Sequence, residues 1–589
     1  MRYFIKAATV GKGILFLLLA GLCIPSAAQK RLAVEAEHFR IEWQEKSDGY
    51  RISTVSTNSA SGRISLENPS GSYGFLYSAT KPDTVSLYET MPDYVRKFPG
   101  REYTLLYGRW RDNLRPVAMN TAGELVRFYP ASAMQKGDSI IFTRKTRQGT
   151  LQAVWRPSKQ FGSDIEVTMT LRAAVDGYFS LITPTLATLS EKEMAWGVIP
   201  GHFQGRKLEP NFVWSYGYGQ GIPDRPVVVR ERTATTLCPT LTDRQGLSFA
   251  VIPEPGQGRD PWTYDHSTQN EWRLGFSLMN RDRELTPSAY HPVLGQEDSY
   301  MRKGEIRTFR FRYTVQQGDW YALCSHAARD IYRFGDFLAL KEPRQSLTDR
   351  ILRMAEYLEK DSTSLWRTFD YRGDTIGAQE YNATVFEYER DAVKNSDYGA
   401  MWMLARITGN DTLRRTRLPY ARNFKIHQQV SGGPLSGAAA GQYYLWKSGR
   451  YTEEWGDYAE PIGTVYYIML DIGNMLLFNP GDAELREDLR RGAERLLAWQ
   501  YPDGHWEVAY DKATGKPVFR DLRDLRPTFY GLLVAYRLLG DERYLDAACR
   551  GADWFVANAV DEGSFLGVCG DFRFVPDFVI AQSAQALLD

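Results

Sequence analysis

Three short segments in the C-terminal half share one pattern, in which glycine closes an apolar stretch and Asp or Asn follows within two residues. The segments are 407–413, 478–485 and 539–545, closed by Gly409, Gly481 and Gly540. Glycine readily adopts the left-handed conformation that ends a helix, and Asp or Asn caps the next helix. Each segment therefore predicts a tight turn between two helices. A repeated hairpin constrains the fold strongly, because each unit must bury its apolar face against its neighbours.

The two helices predicted for each hairpin differ in polarity. Residues 461–478 are apolar nearly all round, whereas 483–500 are apolar on one face, and 527–539 differ from 542–558 in the same way. Inner helices sheathed by outer ones describe an (α/α) hairpin toroid. Three inner helices begin with proline, at Pro461, Pro527 and Pro576, which the first helical position tolerates. The loops before these prolines should therefore share one rim.

The predicted toroid has four inner helices, which begin near residues 396, 461, 527 and 576. This is fewer than a closed ring of hairpins needs, and the last helix reaches residue 589 without a cap. We therefore expect a toroid that is incomplete at the C-terminus, and we favour a fragment over an open ring.

The N-terminal half has a different sequence pattern. Short runs of alternating apolar and polar residues, such as 139–143, 166–171 and 308–315, are separated by turn residues. Alternation places one face in a core and one in water, and many such strands predict a large antiparallel β-sandwich. This pattern changes at 317–319. We predict a signal peptide at 1–28, a β-sandwich domain at 29–318, a connecting helical segment at 319–345 and the toroid at 346–589.

The first 28 residues have the pattern of a secretory signal. Arg2, Lys6 and Lys12 precede the apolar stretch 14–22, and small residues occupy 26–28. The apolar stretch is shorter than the roughly 20 residues that span a bilayer. We therefore expect a periplasmic or secreted protein without stable membrane insertion. Leu22 argues against a lipid anchor on Cys23, because that position requires a small residue.

Charge and cysteine content exclude several classes of function. The net charge of +1 gives no reason to expect a nucleic-acid partner. The spacings of Cys238, Cys324, Cys549 and Cys569 match no zinc pattern, and neither metal nor cofactor is predicted. A Cys549–Cys569 disulfide could form in an oxidising compartment, although four buried free thiols is the favoured interpretation. The 35 Tyr and 15 Trp fit a glycan-binding protein or, equally, a large β-sandwich.

The loops before the predicted inner helices contain many carboxylates. Residues 451–460 include four, and Asp391 lies in the loop 387–396. Glycoside cleavage needs two carboxyl groups, one to donate a proton and one to act as base or nucleophile. We predict Asp391, Glu454 and Asp457 as catalytic residues, with ordinary solvated loops as the alternative.

The same loops carry cations and aromatic rings that could bind an acidic sugar. A guanidinium binds a carboxylate through two parallel hydrogen bonds, and aromatic faces stack on sugar rings. The alternative is that the cations pair with neighbouring Asp and Glu. The predicted substrate-binding residues are Arg390, Lys394, Tyr458, His505, Trp506, Arg523 and Arg526, with Arg573 as a further rim cation.

The order of a β-sandwich and a toroid, with the segment Gln500-x-x-Asp-Gly-x-Trp506, resembles exported polysaccharide-degrading enzymes of gut Bacteroidetes. Within that group the chain is most similar to exo-acting β-glucuronidases built on an α/α barrel flanked by β-sandwiches. The resemblance implies a glycoside hydrolase without a metal, acting on a glycan with a terminal uronic acid. The motif is short and transfers no catalytic pair.

Two other functions stay open. A polysaccharide lyase removes a proton beside a uronate, and His505, Tyr458, Asn395 and Arg526 could serve as base and neutralising groups. A non-catalytic glycan-binding protein would keep the aromatic residues without needing a carboxylate pair. The sequence contains no dinucleotide fingerprint, phosphate-binding glycine loop or His-Glu-x-x-His zinc motif.

Overall fold

The computed structural model describes residues 31–60, 62–82, 122–210, 215, 220–259, 273–296, 298–339, 344–382, 385, 389–395, 398–453, 456–567 and 578–589. Several predicted features lie outside these residues, namely the signal segment, Glu454, Cys569, Arg573 and Pro576.

The N-terminal half consists of antiparallel sheets. Its first strands are β1 (Arg31–Glu35), β2 (Phe39–Lys46), β3 (Gly49–Ser59), β4 (Gly62–Ser65), β5 (Pro69–Ser78), β6 (Glu124–Phe128), β7 (Ser132–Lys136), β8 (Ser139–Lys145), β9 (Gly149–Pro157), β10 (Asp164–Ala173) and β11 (Gly177–Ala187). Its later strands are β12 (Met194–Ile199), β13 (Phe203–Gly205), β14 (Leu208–Glu209), β15 (Ile222–Pro223), β16 (Val229–Arg230), β17 (Thr240–Asp243), β18 (Leu247–Pro253), β19 (Gly275–Met279), β20 (Leu285–His291), β21 (Tyr300–Met301) and β22 (Ile306–Gln317).

Two large sheets dominate this half. One has nine strands in the order β13-β12-β17-β18-β22-β10-β9-β8-β7, and the other has β16-β19-β20-β11-β5-β6 with β21 on β11. Strands β1 to β4 form a third sheet, and β14 and β15 form a short parallel pair. The predicted strands at 139–143, 166–171 and 308–315 are confirmed, because they lie within β8, β10 and β22.

The two large sheets share one apolar core. Trp155 on β9 donates its indole hydrogen to the hydroxyl of Tyr73 on β5 at 2.7 Å, so a strand of one sheet bonds to a strand of the other. The Trp155 ring also stacks on Tyr313 at 5.4 Å. Burying the indole and the phenol together satisfies both polar groups inside the core.

A helical segment follows β22. Asp319 caps helix α1 (Trp320–His326), which continues as a π-helical turn at Ala327–Ile331 and is followed by α2 (Asp336–Ala339). Helix α1 is joined to the nine-stranded sheet by a buried carboxylate, Asp164. This carboxylate accepts from Arg312 at 3.0 Å and Thr314 at 2.7 Å, and it contacts His326 Nε2 at 3.1 Å.

The remaining helices occupy the C-terminal half. They are α3 (Leu347–Glu359), α4 (Asp361–Ser364), α5 (Tyr398–Thr408), α6 (Asp411–Thr416), α7 (Leu418–Gln428), α8 (Pro461–Phe478), α9 (Ala483–Trp499), α10 (Phe529–Leu539), α11 (Glu542–Phe555) and α12 (Phe578–Leu588). Helix α8 contains a π-helical stretch at Thr464–Leu470, and α11 ends in another at Val556–Val560.

The predicted helix ends are confirmed at most positions. Gly409 and Gly540 close their helices at φ 67° and 74°, and Asn410, Asp482 and Asp541 cap the helices that follow. Gly481 does not adopt the left-handed conformation predicted for it. Pro480 directly precedes it and already prevents the helix from continuing.

Successive hairpins pack on one another, with α5 against α8, α8 against α9 and α10, and α10 against α11. Within the described ranges these contacts do not establish a closed ring, so the predicted toroid is not confirmed. Helix α8 is long and apolar enough to cross a membrane, with a mean hydropathy of 1.3. However, 67% of its 18 residues are buried inside the protein. This burial is typical of a core helix.

The prediction that the C-terminal half is entirely helical is wrong. One sheet contains β23 (Trp366–Tyr371), β24 (Asp374–Glu380), β25 (Ala392–Lys394), β26 (Tyr443–Leu445) and β27 (Arg450–Thr452), and another contains β28 (Tyr458–Ala459), β29 (Glu507–Asp511) and β30 (Pro517–Arg523). Strands β23 and β24 form a hairpin closed by Arg372 and Gly373, both at positive φ. Two such residues match the twist of a hairpin turn.

We predict that Asp164→Asn destabilises the protein by about 1–3 kcal/mol, because Arg312 and Thr314 lose a buried carboxylate acceptor while Arg312 keeps its second partner, Glu254. Urea denaturation followed by tryptophan fluorescence measures this change. Asp336→Asn is the matched control, because Asp336 pairs with Arg333 on the surface and such pairs contribute about 1 kcal/mol or less. Equal effects of the two substitutions would contradict the prediction.

Candidate active site

Two buried glutamates lie on the segment between β27 and α8. Glu453 follows β27 directly, and only 6% of it is exposed. Its carboxylate accepts from Gln442 Nε2 at 3.1 Å, across the β26–β27 hairpin. Glu460 lies directly before Pro461, at the start of α8, and is 7% exposed. Its side chain does not cap the helix, so the carboxylate is available for another partner.

That partner is Arg526, which lies directly before Pro527 and α10. Its guanidinium is fully buried and donates to Glu460 at 2.8 Å, to Asp524 at 2.6 Å and to the carbonyl of Val508 at 2.9 Å. Thr528 donates to the other oxygen of Asp524 at 3.0 Å. The Glu460–Arg526 contact brings together two of the loops that the sequence predicted to share a rim.

A second, more open ion-pair group lies on the same segment. Asp457 has a side chain that is 43% exposed, and its carboxylate contacts Lys512 at 2.7 Å and Arg450 at 3.1 Å. Lys512 also donates to the carbonyl of Tyr451 at 2.9 Å. The segment 453–457 therefore begins with a buried carboxyl group and ends with an exposed, ion-paired one.

Burial controls the protonation of the two buried glutamates, Glu453 and Glu460. It raises the pKa of Glu453 to about 7, although the charges of Lys512 and Lys394 and the hydrogen bond from Gln442 oppose the rise. It likewise raises the pKa of Glu460 to about 8, opposed by Arg526. The charge of Glu453 adds to the rise at Glu460, so the two buried carboxyl groups do not readily ionise together.

The hydrogen bond between Gln442 and Glu453 depends on the close approach of Gly441 to the backbone of Thr452. Gly441 lies at φ 134°, and a Cβ there would be 2.3 Å from the backbone of Thr452. Only glycine can therefore occupy this position, which places Gln442 beside Glu453. The hydroxyl of Thr452 in turn donates to the carbonyls of Glu453 and Gly456, at 3.2 and 3.4 Å, and so holds the start of the loop.

The predicted residues of the loop 387–396 have different surroundings in the structure. Lys394 lies on β25 with its Nζ 5.2 Å from the centroid of the Tyr443 ring, and its charge acts on Glu453. Arg390 is exposed. Asp391 is buried, and its carboxylate accepts from the backbone of Lys447 at 2.7 Å. The catalytic role predicted for Asp391 does not fit this placement, because the carboxylate already holds a turn.

The other predicted binding residues mostly do not form one site. Trp506 is 4% exposed and donates to the carbonyl of Leu496 at 2.8 Å, so it has no free face for a sugar. His505 stacks on Tyr501 at 4.2 Å and contacts Asp503.

Two more predicted binding residues lie on strands β28 and β30. Tyr458 is buried on β28 and packs edge-on against Phe519 at 5.5 Å. Arg523, at the end of β30, donates to Asn558 at 3.2 Å. Tyr458 therefore has no exposed face for a sugar, whereas Arg523 is exposed and binds Asn558 through one nitrogen.

The sequence interpretation counted Glu453 and Glu460 among the four carboxylates of residues 451–460 without selecting them, and it assigned no role to Asp524, Gln442 or Lys512. The position of Glu460 before Pro461 and of Asp524 before Pro527 was the available signal. Arg526 follows the alternative that was left open, because it pairs with neighbouring carboxylates and has no nitrogen left for a substrate. Among the described residues no group of His, Cys, Asp and Glu could hold a metal ion.

A cavity of about 570 Å³ lies elsewhere, between α5 and α7. Its lining includes Tyr398, Trp402, Arg406, Arg414, Leu418 and Arg422. It contains no carboxylate, and Arg422 is already paired with Asp482 at 2.8 Å. The buried and the exposed carboxyl groups described above, Glu453 and Asp457, lie on the segment 453–457 instead.

No protein-family model matches the chain, and no curated protein sequence matches it. Solved structures that align with it include a polysaccharide lyase, at 10% identity over 89% of this chain and 70% of the lyase, with a TM-score of 0.30. Others are the galactosidase domain of an α-galactosidase–sucrose kinase (7% identity, 56% and 48% covered, TM-score 0.26) and an α-N-acetylgalactosaminidase of Bifidobacterium bifidum (9% identity, 64% and 50% covered, TM-score 0.25). At such TM-scores the likeness carries no argument about activity.

We predict that Arg526→Met destabilises the protein by about 3–5 kcal/mol, because it leaves Glu460 and Asp524 buried without their cation. Arg523→Met is the matched control on the same segment, because Arg523 is exposed. Urea denaturation of both variants measures the difference. A loss no greater than that of the control would show that the ion pairs do not hold the two loops together.

The raised pKa of Glu453 predicts a pH dependence of stability. Its contribution is complete below the ordinary value of 4.5 and is lost as pH rises through about 7, because ionising a buried carboxyl is unfavourable. In Glu453→Gln the group stays neutral, so the fall of the thermal unfolding midpoint across this range becomes smaller. Glu487→Gln, an exposed site on α9, should keep the parent profile. Parallel profiles for parent and Glu453→Gln would contradict the prediction.

Proposed function

We propose that the chain is a carbohydrate-active enzyme that hydrolyses a glycosidic bond, with Glu453 as proton donor and Asp457 as the second carboxylate. The observation that carries the proposal is the contrast between these two groups on one short segment. Glu453 is buried with a raised pKa, and Asp457 is half-exposed beside two cations. Enzymes that need an acid and a base at one pH use such contrasting environments.

Glu453 has the properties required of the acid. A pKa of about 7 keeps a large fraction of the group protonated at neutral pH. Gln442 holds one carboxyl oxygen, which fixes the orientation of the group. A positioned carboxylic acid could then protonate the departing oxygen of the glycosidic bond.

Asp457 has the properties required of the base or nucleophile. Its carboxylate contacts Lys512 and Arg450, and the 43% exposure of its side chain leaves it accessible to water or sugar. Lys512 also acts electrostatically on Glu453, so the two carboxyl groups share one cation. We assign Lys512 a positioning role, in which it holds Asp457 and keeps the two environments different.

We further propose that the substrate carries a terminal uronic acid, as in β-glucuronidase-like action. Lys394, whose charge acts on Glu453, and the exposed Arg390 are the cations that could receive the sugar carboxylate. Arg526 is excluded from that role because its donors are used within the protein. Export through residues 1–28, with a periplasmic or secreted location, completes the proposal.

A polysaccharide lyase is the second candidate, and Lys512 is the observation that favours it. Burial lowers the pKa of Lys512, although Asp457 opposes the shift. An amine with a lowered pKa is a better proton acceptor and could remove a proton beside a uronate. The residues that the sequence suggested for this role fit less well, because His505 is stacked on Tyr501 and Asn395 donates to a carbonyl at 3.3 Å.

We predict that Glu453→Gln lowers kcat on a glucuronate-capped oligosaccharide by roughly 10²-fold or more, because the departing oxygen loses its proton donor. The same variant should lose far less activity on 4-nitrophenyl β-glucuronide, because nitrophenolate leaves without protonation. Asp457→Asn should impair both substrates. Sugar release and ultraviolet absorbance are recorded together.

Glu487→Gln is the control for this experiment, because it removes an exposed carboxyl group near the start of α9, where Glu487 pairs with Arg490. Full activity of both Glu453→Gln and Asp457→Asn would overturn the assignment. Products that absorb in the ultraviolet through a new C=C bond would identify a lyase. Binding of the oligosaccharide without any cleavage by the parent protein would favour a glycan-binding protein.

A further inference from the structure

Two cysteines that are distant in the sequence pack in one apolar cluster beside helix α1. Cys238 lies just before β17 and is fully buried, and Cys324 lies on α1 and is half-buried. The thiols interact with each other, and this interaction shifts the pKa values of both. They belong to one apolar cluster together with Ala250 of β18 and Leu323 of α1.

The surrounding contacts hold both cysteines in place. Thr240 donates to the carbonyl of Cys238 at 2.8 Å, and Tyr332 donates to the carbonyl of Leu237 at 3.2 Å. On the other side, the cap of Asp319 and the contact of His326 with Asp164 fix α1 against the sheet. The two cysteines therefore belong to one packed junction between the nine-stranded sheet and the first helix after it.

We propose that Cys238 and Cys324 form an intramolecular disulfide when the protein meets a small-molecule disulfide such as oxidised glutathione. The bond would join the strand region before β17 to α1, across 86 positions of sequence (324 minus 238). This pair is not the Cys549–Cys569 pair that was considered from the sequence. Cys549 is exposed, and Cys569 lies outside the described residues.

The two thiols are unequal in a way that orders the reaction. The interaction with Cys238 lowers the pKa of Cys324 to about 7, and the same interaction, together with burial, raises the pKa of Cys238. The thiolate is the reactive form of cysteine. Cys324 is also the more exposed of the two, so it is the sulfur that an external disulfide reaches first.

The chemistry balances as two thiol–disulfide exchanges. The Cys324 thiolate attacks one sulfur of oxidised glutathione, which forms a mixed disulfide and releases one glutathione thiolate. Cys238 then loses its proton and attacks the Cys324 sulfur, which forms the protein disulfide and releases the second glutathione thiolate. Both cysteines are oxidised, and one glutathione disulfide is reduced to two glutathione thiols.

The test uses the full chain carrying Cys549→Ser and Cys569→Ser, which removes two competing thiols. The protein is incubated with oxidised glutathione, the remaining thiols are alkylated, and a non-reducing digest is mapped by mass spectrometry. We expect a cross-linked peptide pair that contains Cys238 and Cys324 and that dithiothreitol separates. The thermal unfolding midpoint should be higher before dithiothreitol than after it.

Cys324→Ser in the same background is the matched control, and its unfolding midpoint should not respond to dithiothreitol. Glutathione retained on Cys324 with Cys238 still alkylatable would overturn the proposal, as would two free thiols after oxidation. The cross-link is read without any glycan, so failure here is distinguishable from failure of the proposed glycosidase.

Discussion

The buried ion pair between Arg526 and Glu460 is the interaction on which the candidate site depends. Each residue directly precedes a proline, so the contact at 2.8 Å joins the two polypeptide segments that enter α8 and α10. A buried guanidinium must satisfy its donors, and Arg526 does so with two carboxylates and a carbonyl of β29. The pair thereby ties two helices and the small β28–β30 sheet to one point. The 453–457 segment runs directly into that point.

The same interaction accounts for the electrostatic asymmetry of the segment. Arg526 compensates Glu460 and Asp524 directly, but Glu453 lies beside them with only an amide in hydrogen-bond contact. One more buried negative charge would be unfavourable, so Glu453 tends to keep its proton. A few residues further along, Asp457 emerges into solvent between Lys512 and Arg450. The different surroundings of the two carboxyl groups thus arise from their depth along one loop rather than from two distant loops.

Much of the fold could be predicted from sequence where local chemistry decides it. The limits of α9 and the caps Asn410, Asp482 and Asp541 follow from side chains that bond to the nearest backbone. The alternation in β10 and β22 likewise reflects the faces of a single strand. The sheets of the C-terminal half could not be predicted so easily. Strands such as β25 and β28 are two or three residues long, and their partners lie about 50 residues away.

The site was harder to predict for a related reason. A charged loop shows which residues could be acids, but burial depends on which other segments cover them. Asp391 and Glu453 have similar sequence surroundings, yet one carboxylate holds the turn at Lys447 and the other lies in the ion-pair group. The discriminating information is long-range: Gly441 must approach Thr452, and Arg526 must reach Glu460. The local trace of that arrangement is a charged residue just before a proline at a helix entry, although only Pro461 is the first helical residue, because α10 begins at Phe529, two residues after Pro527.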